Sequence, residues 1–220
     1  MAELNLDAQL VLDGQAVRLE PLGEGHISGL AAIGIDDEIW QHMPYGEMRN
    51  QDDIARWVRG IIALSSQGTD IPFAVIHKDS GRVAGATRYM EIRPAHRGLE
   101  IGGTWYGAEF RGTMVNTECK YLLLEHAFEE MGCIRVQFKT DLRNERSQRA
   151  IARLGAVKEG ILRNHMILPD GHYRHSVYYS VIQSEWPEVK HSLEEKLGRR
   201  DPSGEKPARG GAQAAGTESP

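Results

Sequence analysis

The sequence predicts one domain of the mixed α/β class: a twisted mixed sheet of about seven strands with helices on both faces. Three observations predict it. The apolar periodicity runs in the order strand, two helices, three strands, helix, strand, helix, two strands. The three central strand candidates are joined by connections too short for a crossover, so they form an antiparallel meander. After them come strand–helix–strand units, and such crossovers lay helices against the faces of a sheet.

The first strand candidate is Ala16–Leu22, where apolar and polar residues partly alternate. Gly25–Asp36 is a helix candidate diluted by glycines. A loop with Trp40, Met43, Pro44 and Tyr45 follows. Asn50 is a good N-cap for a helix over Asp52–Ser66: two aspartates sit in the first turn, and Ile54, Trp57, Val58, Ile61 and Ile62 make one apolar stripe. Pro72–His77, Arg82–Ile92 and Gly98–Tyr106 are the meander. The adjacent Gly102 and Gly103 inside its last strand predict a bulge or a close backbone approach by a ligand. Val115–Met131 has apolar residues at helical spacing and a terminating Gly132. Ile134–Thr140 alternates cleanly as a strand. Glu145–Leu154 is a short helix ended by Gly155. Ala156–Leu168 and His172–Ile182 are strands joined by the turn Pro169-Asp170-Gly171, and Glu185–Leu197 is a last helix.

The chain has 220 residues, 40% hydrophobic and 26% charged, with a net charge of -5. That composition suits a soluble globular domain and gives no whole-chain signal for nucleic acid. No apolar run has membrane-spanning length, and MAELNLDAQL lacks the pattern of a secretory leader. Two cysteines, Cys119 and Cys133, fit a reducing cytoplasm better than a disulfide scaffold. From Asp201 onward there is no Val, Ile, Leu, Met or aromatic residue. Such a segment cannot offset its ordering entropy. The expected organisation is a domain over residues 1–198 and a disordered tail over 199–220.

The chemistry is concentrated in Gly98–Asn116, which runs from strand through loop to helix. A helix N-terminus presents unpaired N–H groups and a partial positive charge, and so attracts phosphate. Arg111 and Gly112 precede that terminus: arginine can fork onto phosphate oxygens, and glycine admits close approach. A second junction lies one crossover later, at Asn144-Glu145-Arg146-Ser147. The right-handed rule places the two junctions side by side. Taken alone, Asn144 is also simply a helix cap.

The stretches EIGGTWYG (Glu100–Gly107), FRGTMVNTE (Phe110–Glu118), LLLEHAFEEMGCIRVQFKTDLRNERSQRAIARLGAVKEG (Leu122–Gly160) and MILPDGHYRHSVYYSV (Met166–Val181) resemble the GNAT superfamily of N-acetyltransferases. Within it they are similar to the branch of ribosomal-protein N-terminal acetyltransferases. The resemblance implies a sheet splayed near its centre and acetyl-CoA as co-substrate, with no metal. It also implies an amine acceptor, either a small molecule or a protein N-terminus, and homodimers are common among such proteins. The family's Arg/Gln-x-x-Gly-x-Gly/Ala pyrophosphate loop falls on Arg111, Gly112, Thr113, Met114, Val115 and Asn116. This chain departs from the loop pattern at Met114 and Asn116. At a helical N1 position Met is acceptable if its side chain turns away. The pantetheine arm would lie along Thr104, Trp105 and Tyr106, with Asn144 hydrogen-bonding it.

Direct amine acylation needs a base, a polarised carbonyl and an acid for the leaving thiolate. Glu100 is the candidate base, acting through water; its alternative is a strand-end carboxylate in a surface pair. Backbone N–H groups at Gly103–Trp105 would polarise the carbonyl, and Ser147 would be the acid. Arg146, Arg149 and Arg153 form a stripe. It would either meet the 3′-phosphate of CoA, with Arg149 at its centre, or be a solvated face. Cys119 and Cys133 read as core residues, His172 and His175 as a poor metal pair, and His126 and His165 as residues without evident partners. Two other readings remain open: a non-catalytic CoA- or partner-binding module, and a transferase of a larger acyl group such as succinyl.

Overall fold

The computed structural model describes residue 7 and residues 9–199. Among these residues the sheet has eight strands in the order β1-β2-β3-β4-β5-β6-β8-β7. They are β1 (Leu12–Asp13), β2 (Val17–Pro21), β3 (Ile71–His77), β4 (Arg82–Arg93), β5 (Gly98–Tyr106), β6 (Arg135–Asp141), β7 (Val157–Ile167) and β8 (Tyr173–Ile182). Every neighbouring pair is antiparallel except β5 and β6, which are parallel. The eighth strand is the two-residue β1, too short to show a period in sequence.

Six helices flank the sheet: α1 (Ile27–Gly34), α2 (Asp37–Trp40), α3 (Gln51–Ser66), α4 (Met114–Glu125), α5 (Glu145–Arg153) and α6 (Trp186–Lys196). The expected helix over Gly25–Asp36 is shorter, and α2 occupies the start of the predicted loop. Asp36 caps α2 by accepting from the Glu38 N–H. At α3, Asn50 and Asp53 form a reciprocal capping box, as the sequence suggested. The long helix expected over Val115–Met131 begins one residue earlier and gives way at His126–Glu130 to a single π turn. Glu185 caps α6 rather than belonging to it.

Alternation along the strands gives the sheet two cores. One face carries Leu99, Ile101, Val136, Phe138, Val177 and Tyr179, packed against α4, α5 and α6. The other face, nearer β2–β5, packs Ala74, Ala86 and Trp105 against α1 and α3. Trp40, Trp57 and Trp105 meet there with centroids 5.3–5.7 Å apart, and Tyr45 joins them. Edge-to-face contacts of this kind add about 0.5–1.5 kcal/mol per pair beyond area burial.

The N-terminal segment is fastened to the back of α4. Glu118, almost fully buried, accepts from the N–H groups of Gln15, Ala16 and Val17 at 2.8, 2.6 and 2.9 Å. It also accepts from Arg199 Nη2 at 2.6 Å, and that guanidinium lies 4.4 Å over the Tyr121 ring. Arg199, the first residue of the expected tail, makes these contacts with α4; residues 200–220 lie outside the described residues.

Candidate active site

The site is created by the one parallel pairing. β5 and β6 pair only at Gly98–Arg135, Leu99–Val136 and Glu100–Gln137. Beyond Glu100, β5 runs on to Tyr106 and β6 to Asp141 without pairing, so the sheet opens into a V. At the crotch Gln137 Nε2 donates to Glu100 Oε2 at 3.0 Å, and Lys139 Nζ stands 3.4 Å from the same oxygen. Glu100 is 2% exposed, so it is not the surface carboxylate considered above.

Further along the same arm, Gly103 has φ +57° and the β4–β5 register shifts between Ala86 and Arg88. This is the bulge that the glycine pair announced. A Cβ on Gly103 would stand 3.1 Å from Arg88 Nε, so Arg88 packs directly over the bulge. The side chains of Trp105 and Tyr106 are buried in the two cores on opposite faces. Only their backbone is available to a ligand. Thr104 points toward α4, its Oγ1 2.7 Å from Thr87 Oγ1 and 2.5 Å from Lys120 Nζ.

Where β5 ends, the loop turns at Gly112, with φ +74° and open space where a Cβ would be. Thr113 caps α4, accepting from the Val115 N–H at 3.3 Å and donating to the Phe110 carbonyl at 2.8 Å. Met114 is the first residue of α4 and 43% exposed. Val115 is a core residue, and Asn116 is partly exposed. Arg111 does not reach freely toward the helix end. Its Nε donates to the Tyr106 carbonyl at 2.9 Å, Nη1 lies 3.1 Å from Glu38, and Nη2 lies 2.5 Å from Asp36. Glu38 also stands 3.8 Å from Arg146. The acidic start of α2 thus spans both βα junctions.

At the second junction, Asn144 Oδ1 accepts from the Ser147 N–H at 2.9 Å, and Ser147 is partly exposed on the first turn of α5. Arg149 is exposed and pairs with Glu145 at 3.1 Å, the pattern of a solvated face. Cys119 and Cys133 are fully buried free thiols. Burial raises both, Cys133 to about 11, so neither is a nucleophile.

Sequence reasoning missed the face of the sheet opposite α4. There the alternation brings together Arg88 on β4, Glu100 on β5, Gln137 and Lys139 on β6, and Arg174 and Tyr178 on β8. His165 is not isolated: Nδ1 lies 2.9 Å from Ser176 Oγ and Nε2 3.4 Å from the Tyr178 hydroxyl. Burial, then Lys139 and Arg174, hold its pKa below the ordinary histidine value. Burial also lowers His42, against the opposing pull of Asp141. The available signal was polar residues at the inward positions of apolar strands, as in Ala86-Thr87-Arg88-Tyr89 and Arg174-His175-Ser176-Val177.

Comparison with known proteins agrees with this geometry. Residues 16–157 match the family model "Acetyltransferase (GNAT) domain". The chain is 31% identical over 106 residues to YdaF of Bacillus subtilis (strain 168), whose name assigns it to ribosomal N-acetylation. That match spans 48% of this chain and 57% of the relative. It is 21% identical to the ribosomal-protein-serine acetyltransferase of Escherichia coli (strain K12), over 78% of this chain and 96% of that one. The crystal structure of a GCN5-related N-acetyltransferase from Brucella melitensis superposes with a TM-score of 0.83 at 28% identity, covering 94% of each chain. A capped α4 behind an open glycine turn, a bulged β5 and a V between β5 and β6 thus occur in a chain that belongs to the GNAT acetyltransferase family and is an N-acetyltransferase.

Proposed function

We propose that the enzyme transfers an acetyl group from acetyl-CoA to a primary amine by direct attack, with a protein N-terminus as the acceptor class closest to its named relatives. The observation that carries this reading is the V between β5 and β6. It leaves the inner edges of two strands unpaired, beside the Gly103 bulge at one end and the N-terminus of α4 at the other.

The residues present suit such a donor. Gly112 leaves open space, and the first-turn amides of α4 lack intrahelical partners, so Arg111–Asn116 offer backbone donors to a pyrophosphate. The unpaired edge of Thr104–Tyr106 offers an extended pantetheine arm strand-like hydrogen bonds, and Asn144 stands at the facing junction. In this reading Glu100 accepts the acceptor's proton through water, with Gln137 and Lys139 fixing its carboxylate. Backbone N–H groups at Gly103–Trp105 polarise the carbonyl, and Ser147 returns a proton to the departing sulfur. When bound, acetyl-CoA supplies the activated thioester; holding amine and thioester together dispenses with a covalent enzyme intermediate.

Thermal unfolding with and without acetyl-CoA tests the donor site. Saturation at a hundred times the dissociation constant adds about 2.7 kcal/mol of stability. Arg111→Ala also removes the contacts to Asp36 and Glu38, so a cleaner variant is Asn116→Asp. An acid in the first turn favours the helix while repelling phosphate. Stabilisation of the native protein that is lost in Asn116→Asp supports the reading; equal shifts in both, or none with acetyl-, succinyl- or free CoA, overturn it. Thiol release with amino acids, polyamines and N-terminal peptides then identifies the acceptor.

A further inference from the structure

Two buried arginines on the acceptor side of the V are incompletely satisfied. Arg174 is 6% exposed and has no carboxylate within 4.0 Å among the described residues. Its Nη1 donates to the His42 carbonyl at 3.2 Å, and its Nε has no partner. Arg88, also 6% exposed, donates from Nη2 to the Tyr45 hydroxyl at 2.7 Å and stands 3.2 Å from Asp70. That ion pair is poorly aligned, however: Arg88 Nε and Nη1 and Asp70 Oδ1 all lack hydrogen bonds.

Buried guanidinium groups are expensive unless every N–H is used. Here three N–H-bearing nitrogens on two arginines are unused, in one neighbourhood. The charges of Arg88, Asp70, Glu100 and Arg174 all act on the Tyr45 hydroxyl. Arg88 also covers the Gly103 bulge, and Glu100 is the candidate base. The hydrogen-bond acceptors now holding the arginines, His42 and Tyr45, belong to the irregular segment between α2 and α3, while Asp70 beside Arg88 directly precedes β3. A planar fork in such a place matches a carboxylate.

We infer that Arg174 and Arg88 form an anion subsite, and that the natural acceptor carries a carboxylate within a few bonds of the amine it presents to Glu100. This rests on the acetyltransfer reading and narrows its substrate class. The carboxylate has two sources: the main-chain carboxylate of a free amino acid, or an acidic side chain near a protein N-terminus.

The test uses acceptors differing only in that group: L-amino acids against their amides, and Ser-Asp- against Ser-Asn-initiated peptides. Turnover is read by thiol release from acetyl-CoA, and binding by calorimetry in the presence of CoA. Losing a charged hydrogen-bonding partner costs about ten- to a hundred-fold. The carboxylate member of the productive pair should lead by that factor in kcat/KM, mainly through KM. Arg174→Gln should bring the ratio toward unity, and Arg174→Lys, which keeps the charge without the fork, should restore part of it. Which pair responds identifies the source. Circular dichroism confirms that each variant folds; if Arg174→Gln does not, Arg88→Gln and the native preference decide. Equal use of neutral and anionic members, an unchanged ratio in the variants, or no binding or turnover of any carboxylate member overturns the subsite. Acetyl-CoA stabilisation of the native protein would show whether the donor reading survives that failure.

Discussion

Lys120 carries a cost with no visible structural return. It is 5% exposed, reaches among the described residues only the hydroxyls of Thr87 at 3.3 Å and Thr104 at 2.5 Å, and burial pulls its pKa from 10.5 to about 8. The unfolded chain therefore binds more protons between about pH 8 and pH 10.5, and folding stability rises with pH across that window. Below pH 8 both states are protonated and the full penalty applies. Lys120→Met should stabilise the free protein at pH 7 by about 1–3 kcal/mol, with the gain shrinking toward pH 10; chemical denaturation at both pH values measures it. Glu100 makes a contrasting residue-scale prediction. Glu100→Gln keeps the shape and one acceptor for Gln137 but loses the base. kcat should fall by about 10²–10⁴, while the thermal shift with acetyl-CoA stays. An unchanged kcat would assign the base elsewhere, with His165 an alternative on that face.

At the scale of elements, α4 is tied to the N-terminal segment through a buried carboxylate and entered through a left-handed glycine. Glu118 fastens the chain before β2 to its buried side. Burial alone would raise that carboxyl, but the N–H groups of Gln15 and Ala16, then Arg199 and the Val17 N–H, outweigh it and hold the pKa below 4.5. A depressed carboxylate stabilises the fold above its unfolded pKa and loses that contribution as pH falls through the folded one. Glu118→Gln should cost about 2–3 kcal/mol at pH 7, and the gap to the native protein should narrow below about pH 4. At the entry to α4, Gly112 holds a left-handed φ with open space where a Cβ would be. Gly112→Ala should cost about 1–2 kcal/mol from backbone strain alone, without a clash. Urea midpoints measure both.

These elements also show what the sequence could disclose. The capping box at Asn50, the Gly102–Gly103 bulge and the strand–loop–helix at Arg111 are local, written in a few adjacent residues, and all three were legible. The partners of Arg111 were not: Asp36 and Glu38 lie far away in sequence, and no periodicity couples them to the loop. Arg88 and Arg174 were hidden for the same reason, since each looks like an interruption of a strand until four strands are laid side by side. The burial of the Trp105 ring was not legible either: the bulge at Gly103 shifts the alternation and turns the ring into the tryptophan cluster, leaving its backbone on the arm. Arg199 precedes the stretch that composition sets apart from Asp201 onward, and its ion pair with the distant Glu118 was not legible.

At the scale of the whole molecule, β1–β5 and β6–β8 are two half-sheets joined by three register pairs, with the core against α4, α5 and α6 bridging them. Hydrogen exchange should accordingly be faster at the inner edges of Ile101–Tyr106 and Phe138–Asp141 than at Gly98–Glu100, and acetyl-CoA should slow it along the β5 arm selectively. Uniform slowing across the sheet would argue against a strand-like arm.

Each inner edge of the V is also an exposed row of amide and carbonyl groups in the middle of a protein, rather than at its rim. Folds usually blunt such rows with charge, proline or a covering helix. Here two of them face each other across the V. Any unfolded segment, including one from a neighbouring copy, can dock there as a guest strand. The free enzyme should therefore aggregate sooner than the CoA-bound one at equal thermal stability, and storing it with CoA should protect it by closing a template rather than by tightening a core.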